Sequence, residues 1–338
     1  SSAYLWDLEV VGDVAWIASD WGLYAVDVSD PVDMEVLHRM SKLPHPAGNG
    51  SFLSMGANAV EVRGQRAYVV TDQSHDSLVV LDISNPLGPI ILARTPLEDL
   101  ALDSVHELYG LDVVGNRAYV AADGRPVSII DVTDPMAPEP LFVPNYNENK
   151  GNGHDLKVVD GLAYCIHGPG ALTIYDVSGD TVLERGSWTP TDDNTEGYAM
   201  RVRVSGQTAW LTRNSETSSV VAIDVSDPDN PEALFQADIP YASGLDIVSD
   251  IVVTSGYHDA GDGDGVSLFR MACVAGCPDG CDDDDPCTED ACDPVAGHCS
   301  HTPLDCDDGI GCTSDICLSD GSCQHNPTNW CPGAGEPG

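Results

Sequence analysis

The sequence contains few basic residues and no long hydrophobic run. Its 338 residues include 14 Lys and Arg against 55 Asp and Glu, which gives a formal net charge of -41. This composition excludes a nucleic-acid binder, because such a protein needs a basic surface to displace the counterions of phosphate. It also disfavours an anionic membrane surface. Since about 18 apolar residues never follow one another, we expect no membrane insertion.

Cysteine is distributed unevenly. Cys165 stands alone, whereas the other eleven cysteines lie between Cys273 and Cys331. Such a density is typical of disulfide-stapled segments in an oxidising compartment. We therefore expect an extracellular protein, secreted or at the cell surface, whose export signal has been removed. The segment 273–338 has a formal charge of -14 and no Lys or Arg, so the charge as well as the cysteines predicts a domain boundary between 1–272 and 273–338.

One phrase occurs six times in the first domain: an alternating strand, a tight turn, then a small residue that opens a second strand. The copies begin at Val10, Val62, Val113, Val158, Val204 and Ile247. The small residue recurs at positions 15, 67, 118, 163, 209 and 252, at intervals of 43 to 52 residues. Each copy continues into a third β-rich run, which in four copies ends in a turn such as Asp82-Ile83-Ser84-Asn85-Pro86, and most copies add a fourth apolar stretch.

Four short antiparallel strands per repeat, without a helix between them, are typical of a propeller blade. The sequence therefore predicts an all-β fold, a six-bladed β-propeller of four-stranded blades. The third-strand phrase Leu78-Val79-Val80-Leu81-Asp82 resembles the LVIVD-repeat β-propeller family over residues 4 to 272. This resemblance implies the fold and says little about an activity.

The sixth copy ends early. After Val266-Ser267-Leu268-Phe269 the chain reaches Met271-Ala272-Cys273 without the turn phrase or a fourth strand. The last blade is therefore predicted to be incomplete. Two interpretations stay open: an open edge that accepts a strand from another molecule, or a three-stranded blade that the C-terminal segment covers.

The C-terminal domain contains a second repeat of about 25 residues. Cys281, Cys287, Cys292 and Cys299 align with Cys306, Cys312, Cys317 and Cys323, and Cys331 begins a third unit. Units this short need disulfides for stability. The predicted disulfide cysteines are Cys273, Cys277, Cys281, Cys287, Cys292, Cys299, Cys306, Cys312, Cys317, Cys323 and Cys331. Because Cys165 is expected to be a buried free thiol, one of these eleven is left over, and it is a candidate for a disulfide between molecules or with a segment outside this sequence. Zinc is disfavoured, since no Cys-x-x-Cys pair occurs.

Aspartates recur within these units. Clustered carboxylates repel one another unless a cation neutralises them, and Ca²⁺ prefers six to eight oxygen ligands. The alternative is a solvated acidic stalk. We predict one Ca²⁺ per unit, with candidate ligands Asp282, Asp283, Asp284, Asp290, Asp307, Asp308 and Asp315. The units resemble the Asp/Cys-rich calcium repeats of secreted modular proteins, although the strict Asp-x-Asp-x-Asp-Gly order is absent.

Residues 258–265 form another candidate calcium site. Asp259, Asp262 and Asp264 alternate with glycine around a tight turn. The distal Glu of an EF-hand loop is absent, so a plain hairpin turn explains the same sequence.

The starts of the inner strands carry polar and aromatic residues where the channel opens. The candidate binding residues there are Asp7, Asn58, Tyr109, His154, Asp155 and Arg201. His154, Asp155 and Arg201 have the chemistry of a base, an acid and an electrophile. A solvated channel mouth with Asp–Arg pairing explains the same residues. No nucleophile elbow, P-loop or dinucleotide glycine motif occurs, so we predict no catalytic site.

These observations predict a non-enzymatic extracellular structural or adhesive protein that assembles with itself into a filament, surface layer or matrix. Its contacts would be strand addition at the open blade or an intermolecular disulfide, with a tail stiffened by Ca²⁺. The alternative is a secreted enzyme, or a carbohydrate-binding propeller that recognises a cell-surface glycan at the channel mouth.

Overall fold

The structure is a computed structural model, and it describes seventeen stretches of the chain. These are residues 4–44, 52–72, 77–97, 108–122, 125–144, 153–168, 171–190, 198–214, 219–239, 242–249, 251–256, 265–270, 285–293, 298–304, 306, 313–318 and 322–327. All regular structure in them is β-strand. They contain no helix of the length and hydrophobicity that a membrane span requires.

The first half of the propeller contains three four-stranded sheets. Blade 1 consists of β1 (Leu5–Val11), β2 (Val14–Ser19), β3 (Gly22–Asp27) and β4 (Glu35–Met40). A small hairpin, β5 (Lys42–Pro44) and β6 (Phe52–Ser54), follows it. Blade 2 consists of β7 (Gly56–Arg63), β8 (Arg66–Asp72), β9 (Ser77–Asp82) and β10 (Ile90–Pro96). Blade 3 consists of β11 (Leu108–Val114), β12 (Arg117–Ala122), β13 (Arg125–Asp131) and β14 (Glu139–Phe142).

The second half contains two four-stranded sheets and one of three strands. Blade 4 consists of β15 (Gly153–Val159), β16 (Leu162–His167), β17 (Ala171–Asp176) and β18 (Leu183–Trp188). Blade 5 consists of β19 (Tyr198–Ser205), β20 (Thr208–Asn214), β21 (Val220–Asp224) and β22 (Glu232–Ala237). Blade 6 consists of β23 (Ala242–Val248), β24 (Ile251–Gly256) and β25 (Gly265–Arg270).

Within each blade, neighbouring strands are antiparallel and follow one another in chain order. The first strand of each blade contacts the first strand of the next blade, from β1 through β23, so the first strands lie around the centre. This arrangement confirms the predicted all-β, six-bladed propeller. Within the described residues blade 6 is also incomplete, as predicted: it has three strands and ends with β25 as its outer strand.

The hydrophobic core is divided among the interfaces between successive blades. We call the face of a blade that meets the preceding blade its front face, and the opposite one its back face. At the first interface, Trp16 and Leu23 on the back of blade 1 pack against Val60 and Val69 on the front of blade 2. Four further clusters join blades 2 and 3, 3 and 4, 4 and 5, and 5 and 6. Cys165 is buried and unpaired in the cluster between blades 3 and 4, which confirms the predicted free thiol.

A recurrent turn fixes the end of the third strand. The carboxylates of Asp27, Asp82, Asp131, Asp176 and Asp224 each accept a hydrogen bond from the backbone N–H two residues on, at 2.7 to 3.0 Å. These Asx turns provide locally the hydrogen bonds that the end of the strand no longer provides. The aspartate of the repeated phrase is therefore a turn residue in all five complete blades.

The C-terminal segment contains two hairpins in the described residues. The strands β26 (Thr288–Asp293) and β27 (His298–Pro303) form the first, and β28 (Thr313–Cys317) and β29 (Cys323–Pro327) form the second. Two disulfides are described. Cys287–Cys317 joins the first repeat unit to the second, and Cys306–Cys323 lies within the second.

Candidate functional site

A β-bulge at the same place in every blade shapes the mouth of the channel. The pairing of each first strand with the second skips one residue, and these skipped residues are Trp6, Asn58, Tyr109, His154, Met200 and Ser243. A bulge turns side chains away from the regular alternation and bends the strand. The channel behind them has a volume of about 950 Å³, and first strands from all six blades line it.

The aromatic and amide groups of the mouth are engaged with the protein itself. The indole N–H of Trp6 donates to Asp20 at 2.6 Å, and the amide of Asn58 donates to the carbonyl of Leu108 at 2.7 Å. The rings of Tyr109 and His154 lie 5.0 Å apart. These contacts fix the side chains, so the mouth is a preformed surface.

The two aspartates at the mouth join neighbouring blades. Asp7 of blade 1 accepts a hydrogen bond from the backbone N–H of Val60 in blade 2 at 3.0 Å. Asp155 of blade 4 accepts one from the N–H of Val202 in blade 5, also at 3.0 Å. Burial raises the pKa of Asp7, although the nearby Arg201 guanidinium opposes the shift. Both carboxylates therefore bind backbone groups that a blade interface would otherwise leave unsatisfied.

The three residues singled out as acid, base and electrophile do not form one unit in the described hydrogen bonds. Asp155 pairs with Arg203 at 3.0 Å. Arg201 donates instead to the carbonyls of Met200 and Trp6, which links blade 5 to blade 1 across the channel. This geometry favours the interpretation as a channel mouth with Asp–Arg pairing, although the arginine that pairs is Arg203.

A ring of charged residues lies deeper in the channel, and its members were not among the predicted binding residues. Each blade contributes one residue at the position just before the first valine or isoleucine of the repeated phrase: Glu9, Glu61, Asp112, Lys157, Arg203 and Asp246. The same alignment that reveals the blades shows a charged residue in all six copies. That regularity is the signal by which sequence reasoning could have found the ring.

Arg63 connects the acidic side of this ring. Its guanidinium lies 3.4 Å from Glu9, 2.7 Å from Glu61 and 3.6 Å from Asp112. Asp112, which is fully buried, also accepts from Lys157 at 3.0 Å and from the N–H of Val158 at 2.8 Å. Carboxylates of blades 1, 2 and 3 thus share one guanidinium, and Lys157 extends the network to blade 4.

One guanidinium shared by three carboxylates does not stabilise all of them in the ionised form. Burial raises the pKa of Glu61 to about 8, against the opposing effect of Arg63, and the negative charge of Asp112 adds to the rise. Burial also raises the pKa of Glu9. The channel therefore contains a carboxyl that takes up a proton near neutral pH.

The blade 1–blade 6 seam differs from the five packed interfaces. The channel opens toward the front of blade 1, at Leu8 and Val10, and toward the back of blade 6, at Val253 and Val266. Leu8 is 60% exposed and Val266 is 68% exposed. Two apolar faces therefore remain exposed to solvent at the point where a ring of blades would close.

Most of the predicted calcium ligands lie outside the described residues. These are Asp282, Asp283, Asp284, Asp307, Asp308, Asp259, Asp262 and Asp264. Asp290 is paired in register with His301, and Asp315 with His325. The carboxylate of Asp315 lies 2.9 Å from Nδ1 of His325. Over the described ranges no group of three or more His, Cys, Asp or Glu residues is arranged to hold a metal.

Comparisons with known proteins identify repeats in both segments. The LVIVD repeat matches residues 3–40, 56–94, 109–147 and 196–238, which correspond to blades 1, 2, 3 and 5. The Dictyostelium (slime mold) repeat matches residues 280–304. The search of curated proteins found no match.

Solved structures share the propeller fold at low identity. A putative 6-phosphogluconolactonase from Bacteroides fragilis is 9% identical with a TM-score of 0.56, over 78% of this chain and 84% of that one. The periplasmic gluconolactonase PpgL of Pseudomonas aeruginosa is 10% identical with a TM-score of 0.56, over the same shares. The β-propeller domain of Cps50 (Swd1) from Myceliophteria thermophila is 9% identical with a TM-score of 0.56, over 79% and 84%. At this identity the likeness shows the fold alone.

Proposed function

We propose that this chain, a six-bladed β-propeller of LVIVD repeats with a Dictyostelium (slime mold) repeat in its C-terminal segment, is a non-enzymatic extracellular structural or adhesive protein that assembles with itself. The observation that carries the proposal is the sixth blade, which over the described residues has three strands with β25 as the outer one. A complete blade has a fourth strand at that position, so β25 presents an edge to which a strand of another copy can add.

The hydrogen-bonding direction of β25 follows from the complete blades. In blade 2 the N–H of Ile83 donates to the carbonyl of Gln65, and the antiparallel ladder alternates from there. At the equivalent register of blade 6, the N–H groups of Val266 and Leu268 point away from β24. The carbonyl groups of an added strand would accept hydrogen bonds from these two N–H groups.

The channel supports a structural role better than a catalytic one. Asp7, Asp155 and Asp112 each accept a backbone N–H of the next blade, and the charged ring is paired through Arg63 and Lys157. Such groups hold blades together, whereas a general base needs a free lone pair beside a reactive proton. The lactonases above share only the fold, so their activity is not carried over.

The tail belongs to the same proposal. Disulfides that join and staple its two hairpins stiffen it, and Ca²⁺ held by the Asp-rich loops of each repeat unit is proposed to stiffen it further. Removal of Ca²⁺ would leave the formal charge of -14 in this segment uncompensated. We therefore expect chelation to weaken the assembly.

The test is the mass of the secreted full-length protein in solution, measured by light scattering after size exclusion, with Ca²⁺ and with EGTA. We expect concentration-dependent oligomers that EGTA reduces. Leu268→Pro, which removes an outward N–H and leaves the bonds to β24, should shift the protein to monomer. The control Leu234→Pro places proline on the outer edge of the complete blade 5, at a residue that the pairing with β21 skips. A wild-type protein that stays monomeric at high concentration with and without Ca²⁺ would refute the proposal.

A further inference from the structure

The front of blade 1 and the back of blade 6 are the two blade faces that the described contacts leave unpacked. On blade 1, Leu8 is 60% and Val10 is 52% exposed, and on blade 6, Val266 is 68% and Leu268 is 66% exposed. Isolated exposed apolar residues are common, but two contiguous apolar sheet faces mark an interaction surface.

The other blades show what these positions ordinarily contact. Leu8 is equivalent in the repeat to Val60, Leu111, Leu156, Val202 and Leu245, which are 0 to 6% exposed. Leu268 is equivalent to Val80, Ile129, Ile174 and Ala222, all fully buried. Val80 and Leu111 belong to one cluster, the interface between blades 2 and 3. A front face like that of blade 1 is therefore built to cover a back face like that of blade 6.

This contact is not made within the chain in the described residues. The channel extends between the two faces and is lined by Leu5 and Leu8 on one side and by Val253 and Val266 on the other. The link across the centre joins blade 1 to blade 5, through Arg201 and the carbonyl of Trp6, and bypasses blade 6. Asp246 of blade 6 is exposed, whereas its equivalent Asp112 is fully buried.

We infer that the back of blade 6 packs against the front of blade 1 of a second copy of this chain. The inference rests on the proposed self-assembly and identifies the two blade faces that meet in it. Every chain carries both faces, and each is equivalent to a face that is packed in the five interfaces within the chain. The occupant of each face is therefore a second copy. Since the two faces differ, the contact is heterologous and propagates into rings or filaments instead of stopping at a symmetric pair.

Edge addition and face packing are compatible in one contact. The fourth-strand edge of β25 and the back face of blade 6 are adjacent surfaces of the same sheet. A copy that packs its blade 1 on this face lies beside the open edge. Loss of the apolar face should therefore weaken assembly even when the backbone edge is intact.

The test uses two single-cysteine variants of the full-length protein, Leu8→Cys and Leu268→Cys, with a short bismaleimide. We expect cross-linked dimers when the two variants are mixed and none with either variant alone, beyond the background of the wild-type protein treated identically. The wild-type control accounts for any reactive tail thiol. Leu8→Asp and Leu268→Asp should raise the dissociation constant of assembly at least 10-fold, whereas Leu183→Asp, at a residue 61% exposed on the outside of blade 4, should not.

Each other outcome contradicts the inference and identifies what fails. If the double variant Leu8→Cys/Leu268→Cys cross-links only within one chain, the ring closes on itself and the inference is wrong, while oligomers in solution would still support edge addition. If oligomers form but the mixed variants do not cross-link, assembly uses other surfaces. If the protein is monomeric and does not cross-link, both the inference and the proposed function fail.

Discussion

Asp112 is the residue on which the channel network most depends. It is fully buried, and it accepts hydrogen bonds from Lys157 and from the backbone N–H of Val158 in the next blade. Its substitution leaves a buried donor and a partly buried cation without their partner. Such losses are costly because neither group regains its hydration.

We predict that Asp112→Ala lowers the free energy of unfolding by about 3 kcal/mol. Asp112→Asn should cost less, because the amide oxygen still accepts from Val158. The matched control is Asp246→Ala, at the same repeat position but exposed in blade 6, which should change stability by no more than about 0.5 kcal/mol. Urea unfolding followed by tryptophan fluorescence, with disulfides intact, measures all three. Equal effects at both positions would contradict the assigned role.

Glu61 gives the channel a pH dependence. In the unfolded chain its carboxyl ionises near the ordinary value of 4.5, whereas burial first, and then the charge of Asp112, raises the folded pKa to about 8. Between these values the folded state binds more protons than the unfolded state. The contribution of Glu61 to stability therefore falls as pH rises from about 4.5 to about 8, by up to about 1.4 kcal/mol per pH unit.

We predict that Glu61→Gln removes this slope. Relative to wild type, the variant should become progressively more stable as pH rises from 5 to 8, and the difference should level off above 8. Urea unfolding at a series of pH values measures the difference. Glu35→Gln, on the exposed outer strand of blade 1, controls for the change in net charge. If the free energies of unfolding of wild type and Glu61→Gln change in parallel with pH, this carboxyl has the same pKa in the folded and unfolded states and the prediction is wrong.

At the scale of elements, the inner strands approach each other too closely for a side chain at one point. A Cβ at Gly110 of β11 would lie 2.9 Å from the Cα of Asp155 in β15. The contact is with backbone, so it cannot be relieved by a rotamer change. Gly110 thus sets the distance between blades 3 and 4 beside Asp155 of the channel mouth.

We predict that Gly110→Ala destabilises the protein by about 1 to 3 kcal/mol, because blades 3 and 4 must separate. Gly88→Ala is the control, since a Cβ there meets nothing closer than 3.7 Å. Thermal unfolding of the two variants should show a lower midpoint for Gly110→Ala alone. A neutral Gly110→Ala would mean that the blades adjust without cost.

The repeated phrase was sufficient to predict the strands, because alternation and turn chemistry are local. The Asx turn of Asp82, the three strands described for blade 6 and the buried thiol of Cys165 all follow from reading each copy against the others. The small hairpin of β5 and β6 was not predicted, because strands of three residues are too short to give a recognisable alternation.

The pairing of charges between blades could not be predicted in the same way. Asp155 accepts the backbone N–H of Val202, which places its carboxylate beside Arg203, while Arg201 donates to backbone carbonyls instead. Nor does sequence distinguish Leu8 from Leu111. Both fit an apolar front face, and only the assembled fold shows which of the two has a partner.

For the whole molecule, we propose that the repeat that builds the propeller also supplies the surfaces of the proposed self-assembly. Five interfaces are packed, and the sixth pair of faces, on blades 1 and 6, is exposed. The formal charge of -41 opposes association at low salt, so the assembly should strengthen with added salt and with Ca²⁺.

The most direct test of the proposed assembly is electron microscopy of the purified protein at high concentration in Ca²⁺. We expect rings or filaments in which successive propellers touch through blade 6 and blade 1, and we expect Leu268→Asp, but not Leu183→Asp, to disperse them. A field of single discs under the same conditions, with wild-type protein, would contradict it.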